Sequence, residues 1–174
     1  MDKGFLRVIF GLCLWASLVY GQAKQLELEH AFDLHLQLGK PTDVGKIGPI
    51  GSRRLTPVIG GTVEGRGLKG KILPGVDYQI IRPDGGTEID AHYVVQTESG
   101  DLLYIINRGI RRGPADVLQR LNAGEKVDQS LIYFRTVLSL ETAAPTLQWM
   151  NDTVFVGVGE RLPNEAIVRV FRVN

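Results

Sequence analysis

Cysteine is nearly absent from this sequence of 174 residues, because Cys13, close to the N terminus, is its one cysteine. A single cysteine forms no internal disulfide and supplies no cysteine cluster for a structural zinc ion. Removal of the N-terminal segment would also remove the one thiol that could act as a nucleophile. We therefore expect packing and backbone hydrogen bonds to stabilise the fold.

An excess of charge is missing as well, because 20 Lys and Arg residues balance 19 Asp and Glu residues. Nucleic-acid binding normally requires surplus positive charge that neutralises phosphates, so no nucleic-acid partner is predicted. The one basic cluster, Arg108, Arg111 and Arg112, is interrupted by glycine and is interpreted as a solvated turn. Neutrality gives little repulsion between copies of the chain, so it is compatible with a homo-oligomer.

The sequence also lacks an apolar run long enough to cross a membrane as a helix. The run at residues 8–20 has about 13 residues, whereas a spanning helix needs about 20. It follows the basic residues Lys3 and Arg7, and its length is typical of the apolar core of a secretory signal. A buried N-terminal helix is the alternative, but no charged residue within the run would give such a helix a solvated face.

We therefore predict that residues 1–21 are a signal peptide, cleaved after Gly21 or, as a second position, after Ala23. Residues 22–174 then form a single domain, long enough to have its own core. The predicted location is extracellular or periplasmic, without membrane contact after cleavage.

Strong catalytic signatures are absent: there is no Walker A loop, nucleophile elbow, His-Glu-x-x-His zinc pair or dinucleotide fingerprint. Residues 61–67 are rich in glycine and resemble a phosphate loop superficially, but no helix is predicted to follow them. No cofactor is predicted.

What the sequence does contain is alternation of apolar and polar residues. The alternation is almost perfect over residues 25–38, and a period of two predicts a long strand with one buried face. Further strands are predicted at 53–63, 68–73, 76–82, 87–97, 102–110, 131–140, 154–159 and 166–173. Residues 39–51 are rich in Gly and Pro and predict a loop, and one short helix begins at Pro114 and ends near Gly124.

The short turns between these strands predict antiparallel pairing, which leaves a closed barrel or a sandwich. Glycines inside the strands, such as Gly60 and Gly61, indicate bulges, sharp bends or the close approach of another backbone or a ligand. Together with the long first strand they favour an all-β fold, a closed antiparallel β-barrel of about eight or nine strands with one short helix. The interior of an eight-stranded barrel is just wide enough for one small ligand.

Polar residues on strand faces are the candidates for chemistry. Glu88, Asp90 and His92 share one face of a strand; if that face is outside, the strand is an ordinary half-buried one. If it is inside, three titratable groups line a cavity with shifted pKa values. The three are metal ligands by type, but they are too compact on one strand, so no metal site is predicted.

Three residues on other segments are also candidates for a functional role. Arg135 lies in an apolar strand and either extends outwards or pairs inside with a carboxylate, for which Asp77 and Glu141 are candidates. Trp149 is a core anchor or a stacking wall for a planar ligand. Asn151 begins an Asn-Asp-Thr glycosylation acceptor.

The chain also carries an ordered series of short motifs. They are Gly60-Gly61, the spacing of Gly65 and Gly70, Pro74-Gly75-Val76-Asp77-Tyr78, Asp90-Ala91-His92-Tyr93, Asn107-Arg108-Gly109, Arg112-Gly113-Pro114, Tyr133-Phe134-Arg135-Thr136 and Trp149-Met150-Asn151. From Leu28 to Val173 this series resembles the uncharacterised family called domain of unknown function 3237. The resemblance implies a compact antiparallel β-barrel, found mostly in bacteria and fungi, and it brings no settled activity. His92, Val76 and Tyr78 depart from the family pattern, which usually has arginine, a small residue and tryptophan there.

Three functions remain open. The first is a small-molecule-binding barrel with cofactor-independent acid–base activity, such as that of an isomerase, lyase or cyclase. Its predicted catalytic residues are Asp90 as general base and Arg135 or Tyr93 as stabilisers of negative charge. Its predicted ligand-binding residues are Arg53, Asp77, Tyr104, Asn107, Trp149 and Asn151. The second function is a non-catalytic carrier of a hydrophobic or aromatic molecule, and the third is a structural or interaction module.

Overall fold

The computed structural model describes residues 25–174, so the predicted signal peptide and its cleavage sites lie outside the described residues. The strands are β1 Leu28–Leu38, β2 Thr42–Lys46, β3 Ser52–Gly65, β4 Leu68–Ile72, β5 Gly75–Ile81, β6 Thr87–Thr97, β7 Leu102–Arg112, β8 Tyr133–Thr142, β9 Phe155–Leu162 and β10 Glu165–Val173. Helix α1 is Ala115–Asn122, and short 3-10 helices lie at Gly48–Ile50, Gln129–Leu131 and Gln148–Asp152. In this part of the chain no helix is both long and apolar enough to cross a membrane.

Eight of the strands close into a barrel. Antiparallel pairing leads from β1 through β10, β9, β8, β7, β6, β5 and β3 back to β1. The remaining strands extend this path, because β4 pairs with the second half of β3 and with β6, and β2 pairs with the beginning of β3. The predicted all-β closed barrel with one short helix is therefore confirmed.

Strand alternation decides which side chains fill the barrel. In β6 the side chains of Ile89, Ala91, Tyr93 and Val95 are buried, and the residues between them face outwards. Helix α1 buries one apolar stripe, Val117, Leu118 and Leu121. The Leu118 side chain lies near Gly85 in the turn between β5 and β6, so the helix covers this end of the barrel.

Two predicted segments differ from the structure. Residues 39–51, predicted as a loop, contain β2, whose five residues are all exposed and pair with β3 through the backbone. Strand β7 continues to Arg112, so the interpretation of Arg108, Arg111 and Arg112 as a solvated turn is wrong. Arg111 faces the barrel interior, where it is only 3% exposed.

Glycine lets two strands of the barrel pack closely at one point. A Cβ atom at Gly159 on β9 would lie 2.4 Å from the ring of Phe134 on β8. That distance is far below van der Waals contact, so the aromatic ring occupies the space that a side chain would need. The close approach of another backbone, predicted at the strand glycines, is confirmed at Gly61, where a Cβ atom would overlap the His35 carbonyl oxygen of β1.

Candidate functional site

A polar cluster lies inside the end of the barrel that α1 covers. Its buried members occupy inward positions of their strands: Thr56, Asp77, Gln79, Thr87, Asn107, Arg111 and Thr136. A cavity of about 30 Å³ lies within this region, lined by Asp77, Gln79, Asn107, Arg111, Arg161 and apolar side chains. A volume of this size holds about two water-sized atoms.

Asp77 is the acidic group of the cluster. Strand β5 places Asp77 and Gln79 on the same inward face, and the Gln79 amide donates a hydrogen bond of 2.6 Å to Oδ2 of Asp77. The backbone N–H of Asp90 donates to Oδ1 at 3.1 Å. Burial raises the pKa of Asp77 above its ordinary value, despite these bonds and the attraction of Arg111. A carboxyl group with a raised pKa is suited to taking up and releasing a proton.

Arg111 is the buried cation beside it. The alternation of β7 directs Asn107, Gly109 and Arg111 inwards, and one Arg111 Nη donates to Oγ1 of Thr87 at 3.2 Å and to Oδ1 of Asn122 at 3.4 Å. Nε of Arg111 has no partner among the described residues. Burial lowers the pKa of Arg111 to about 10, so the guanidinium is still protonated at neutral pH.

Three further buried polar atoms make no hydrogen bond of good geometry in the described part of the chain: the Tyr93 hydroxyl, Oδ1 of Asn107 and Oγ1 of Thr136. Burial raises the pKa of Tyr93, so its phenol keeps its proton, and the neighbouring Asn107 side chain is within reach as its hydrogen-bond partner. Buried polar groups are hydrogen-bonded in the great majority of cases, and each exception needs an explanation. Of these residues, Asn107 and Arg111 line the cavity, where a ligand could supply the missing partners.

Arg161 lies where the cavity reaches solvent. Its side chain is partly buried, and burial lowers its pKa. Gln129 holds the backbone of Arg161 on both sides, accepting from its N–H at 3.0 Å and donating to its carbonyl at 2.9 Å. Leu38 and Ala166, which also line the cavity, are partly exposed, so these three residues form its rim.

The structure divides the predicted site residues between the two sides of the barrel. Asp77, Tyr93 and Asn107 are inside. The exposed or partly exposed ones are Asp90, Arg135, Arg53, Tyr104, Trp149 and Asn151. The prediction that Asp77, Asp90, Tyr93, Tyr104, Asn107 and Arg135 share one pocket is therefore wrong. Positions an odd number apart on a strand face opposite sides, which separates Asp90 from Tyr93 and Tyr104 from Asn107.

Asp90 belongs to a chain of polar contacts on the outer surface. Nε2 of His92 lies 2.9 Å from Oδ1 of Asp90, and Nδ1 of His92 lies 2.6 Å from the Tyr104 hydroxyl. Nε of Arg108 donates to Asp90 at 2.9 Å, and the Asp90 side chain is 41% exposed. The polar face of β6 is thus outside, as the interpretation of an ordinary half-buried strand predicts.

The other outward residues have structural partners. Arg135 lies over the ring of Tyr133, with its guanidinium carbon 5.1 Å from the ring centroid. Arg53 donates to the Tyr78 carbonyl at 2.9 Å. Asn151 exchanges two hydrogen bonds with the backbone of Thr142, which tie the loop after β8 to the end of that strand.

Trp149 is 44% exposed, so its interpretation as a core anchor is wrong. Its ring packs against Phe155, and the guanidinium of Arg172 lies 5.7 Å from the ring centroid. The residue therefore lies at the surface of the barrel end opposite α1.

A larger depression, of about 620 Å³, lies on the outer surface between β3, β4 and β6. Its wall carries Lys69 and Glu98, both more than 60% exposed and 3.3 Å apart. Solvated charges that already pair with each other give little reason to expect a ligand there. The interior cluster, with buried and unpartnered polar atoms, is the better candidate despite its smaller volume.

Comparison with known proteins gives one family. Residues 26–173 match the family model described as "Protein of unknown function (DUF3237)". A UPF0311 protein from Rhodopseudomonas palustris is 42% identical over 149 residues, which are 85% of this chain and 97% of the relative. A UPF0311 protein from Clostridium acetobutylicum is 36% identical over 152 residues, 87% of this chain and 96% of the relative.

Solved structures share the fold. A conserved protein of unknown function from Rhodopseudomonas palustris superimposes with a TM-score of 0.82 at 38% identity, covering 87% of this chain and 99% of that one. A β-barrel-like protein from Acinetobacter baumannii gives a TM-score of 0.78 at 34% identity, covering 88% and 99%. An enzyme from Penicillium herquei gives 0.65 at 16% identity, covering 88% and 98%, and at that identity the likeness concerns the fold alone.

Proposed function

The chain belongs to the DUF3237 family of proteins of unknown function, and from its own geometry we propose that it binds a small molecule at the polar end of the barrel and moves a proton on it without a cofactor. One observation carries this proposal: a buried carboxyl group with a raised pKa lies with a buried arginine at a cavity that reaches solvent. Perturbed titratable groups of this kind concentrate at functional sites.

Two residues of the cluster, Asp77 and Arg111, have a role in the proposed reaction. Asp77, as carboxylate, removes a proton from the carbon next to a carbonyl group, and the electron pair moves onto the carbonyl oxygen. Arg111 stabilises the negative charge that develops there, in a site largely shielded from water. The Asp77 carboxylic acid then returns the proton to another carbon, or to a leaving group, so the reaction is an isomerisation or an elimination. Asp77 takes the role that the sequence assigns to Asp90, because Asp77 is inside.

The cavity argues against the carrier function. A hydrophobic or aromatic cargo needs an apolar pocket of several hundred Å³, whereas this cavity measures about 30 Å³ and adds two arginines, a carboxyl and two amides to its eight apolar side chains. A structural module would have no reason to retain unpartnered polar atoms inside its core. Only the reacting end of a ligand fits the cavity, with the rest of the molecule at the rim.

Deuterium exchange tests the proposal. The protein is incubated in D₂O with pyruvate, phenylpyruvate and cyclohexanone, and deuterium uptake at the carbon next to the carbonyl is followed by NMR. We expect the protein to accelerate uptake for at least one probe, and Asp77→Asn to reduce the acceleration by about 100-fold or more.

Asp90→Asn is the matched control, since it makes the same change on the outer face of the neighbouring strand. It should retain the acceleration. An absence of acceleration with all three probes would overturn the proposal, and a loss confined to Asp90→Asn would return the role of base to Asp90.

A further inference from the structure

The charges inside the barrel do not balance. Arg111 and Arg161 both line the cavity, and Asp77 is the one acidic residue that lines it with them. Arg111 donates to the neutral oxygens of Thr87 and Asn122, and Arg161 donates to the backbone carbonyl of Glu165. With Asp77 ionised, the cavity is left with one positive charge in excess.

A neighbouring arginine does not change this balance. Arg54, on β3, is held by Asp43 of β2, with 2.6 Å between Nε and the carboxylate. This pair is neutral as a unit, and Asp43 is mostly exposed. The unbalanced positive charge therefore belongs to Arg111 and Arg161, and no further acidic residue in the described part of the chain lines the cavity to neutralise it.

Arg111 also offers a free donor in a fixed direction. Its side chain is 3% exposed, it lines the cavity, and its Nε has no partner among the described residues. A buried guanidinium is normally paired, because taking an unpaired charge out of water is costly. Nε of Arg111 can therefore donate to one oxygen of a carboxylate, while the Nη beside it already donates to Thr87 and Asn122.

The volume of the cavity limits the size of the anionic group that can enter it. About 30 Å³ holds two water-sized atoms, which suits the two oxygens of a carboxylate, or an enolate oxygen with its carbon. A carboxylate fits this volume more closely than the four oxygens of a phosphate group do. The apolar rim residues Leu38 and Ala166 would then contact the body of the ligand.

We propose that the cavity binds the monoanionic head group of a small organic acid, a carboxylate or an enolate, on the guanidinium of Arg111, with Arg161 at the rim. The proposal rests on the proposed function for the location of the site, but it concerns binding alone. The ligand completes the charge balance of the cavity and supplies the missing partner of Nε.

Binding of benzoate and benzamide tests the charge requirement, because the two have nearly the same shape and differ in charge. Benzoate also has no exchangeable proton next to its carbonyl, so a failure of proton transfer leaves this measurement unaffected. The binding of each probe is followed through the side-chain Nε–H signal of Arg111 in ¹⁵N NMR. We expect benzoate to bind about tenfold or more tightly than benzamide and to shift the Arg111 signal.

Arg111→Gln should abolish the preference for benzoate. Arg112→Gln, the same change at the next residue on the outer face of β7, should keep it. Equal binding of the two probes, no binding of either at millimolar concentration, or equally tight binding of inorganic phosphate would overturn the proposal. If Arg111→Gln does not fold, the wild-type shifts decide: a shift of the Arg111 signal with benzoate alone supports the proposal, and its absence overturns it.

Discussion

Asp77 links the stability of the barrel to pH. Burial raises its pKa in the folded protein above the ordinary value of 3.8. Below that value the carboxyl is protonated in both states; as pH rises towards the folded pKa, the unfolded chain releases its proton first. The folded state then binds more protons, so the free energy of unfolding falls with increasing pH over this window.

We therefore expect Asp77→Asn to gain stability relative to the wild type as pH rises from about 4 to 7. Urea unfolding of both proteins at several pH values measures the difference. Asp90→Asn serves as the control, because the Asp90 side chain lies on the outer face of β6, 41% exposed and paired with Arg108. A difference between Asp77→Asn and the wild type that stays constant across this pH range would contradict the raised pKa.

Tyr93 provides a second test at the scale of one atom. Its hydroxyl is buried without a hydrogen bond of good geometry in the described residues, and an unsatisfied buried group costs about 1–3 kcal/mol. Tyr93→Phe should therefore stabilise the protein by about 1 kcal/mol. Tyr104→Phe, which removes a hydroxyl 2.6 Å from His92 on the outer surface, should be neutral or destabilising. A clear loss of stability in Tyr93→Phe would mean that its hydroxyl has a partner, either the neighbouring Asn107 side chain, a water or a ligand.

The site was only partly predictable from single residues. Asp77, Tyr93 and Asn107 were candidates in the sequence and lie inside, but Gln79, Arg111 and Arg161 were not among them. A polar side chain at an inward position breaks the apolar alternation by which a buried face is identified. The pattern that identifies Arg111 as inward is the alternation Ile105, Asn107, Gly109, Arg111. The predicted strand ends at Ile110, one residue too early to include Arg111.

At the scale of elements, apolar alternation made most strands predictable. Strand β6 has the bounds predicted for it, Thr87–Thr97, because its inward positions are apolar over nearly its whole length. Strand β2 has no buried residue and is held by backbone hydrogen bonds to β3, so its own sequence contains no trace of it. Closure between β1 and β3 brings together strands that no local pattern can pair.

The contact between β8 and β9 leads to a prediction about packing. A methyl group at Gly159 would meet the Phe134 ring at 2.4 Å, so Gly159→Ala should destabilise the barrel by about 1–3 kcal/mol through overpacking. Thermal or urea unfolding measures the loss. Phe134→Leu added to Gly159→Ala should recover part of it, because the smaller side chain vacates the space. Costs that simply add in the double variant would contradict this steric explanation.

At the scale of the whole molecule, the barrel combines an apolar half that stabilises the fold with a half whose buried polar groups lower its stability. Its apolar half, with Phe32, Leu34, Leu103 and Phe155 all essentially inaccessible to solvent, supplies the stability. The other half contains the polar cluster, which would be replaced by apolar residues if stability were the sole requirement. This division is expected of a binding scaffold, in which strands fix the site residues and the rest of the core offsets their cost.

The N-terminal segment completes the whole-molecule hypothesis, in which the protein acts outside the cytoplasm. The family match begins at residue 26 and the first strand at Leu28, so removal of residues 1–21 would leave the barrel intact. We expect a fusion of residues 1–24 to a periplasmic reporter enzyme to be exported, and the mass of the product to show cleavage after Gly21 or Ala23. Replacing Leu14 and Leu18 with arginine should block export, because charge within the apolar run prevents its recognition. A reporter that stays in the cytoplasm with the native segment would contradict the predicted export of this chain.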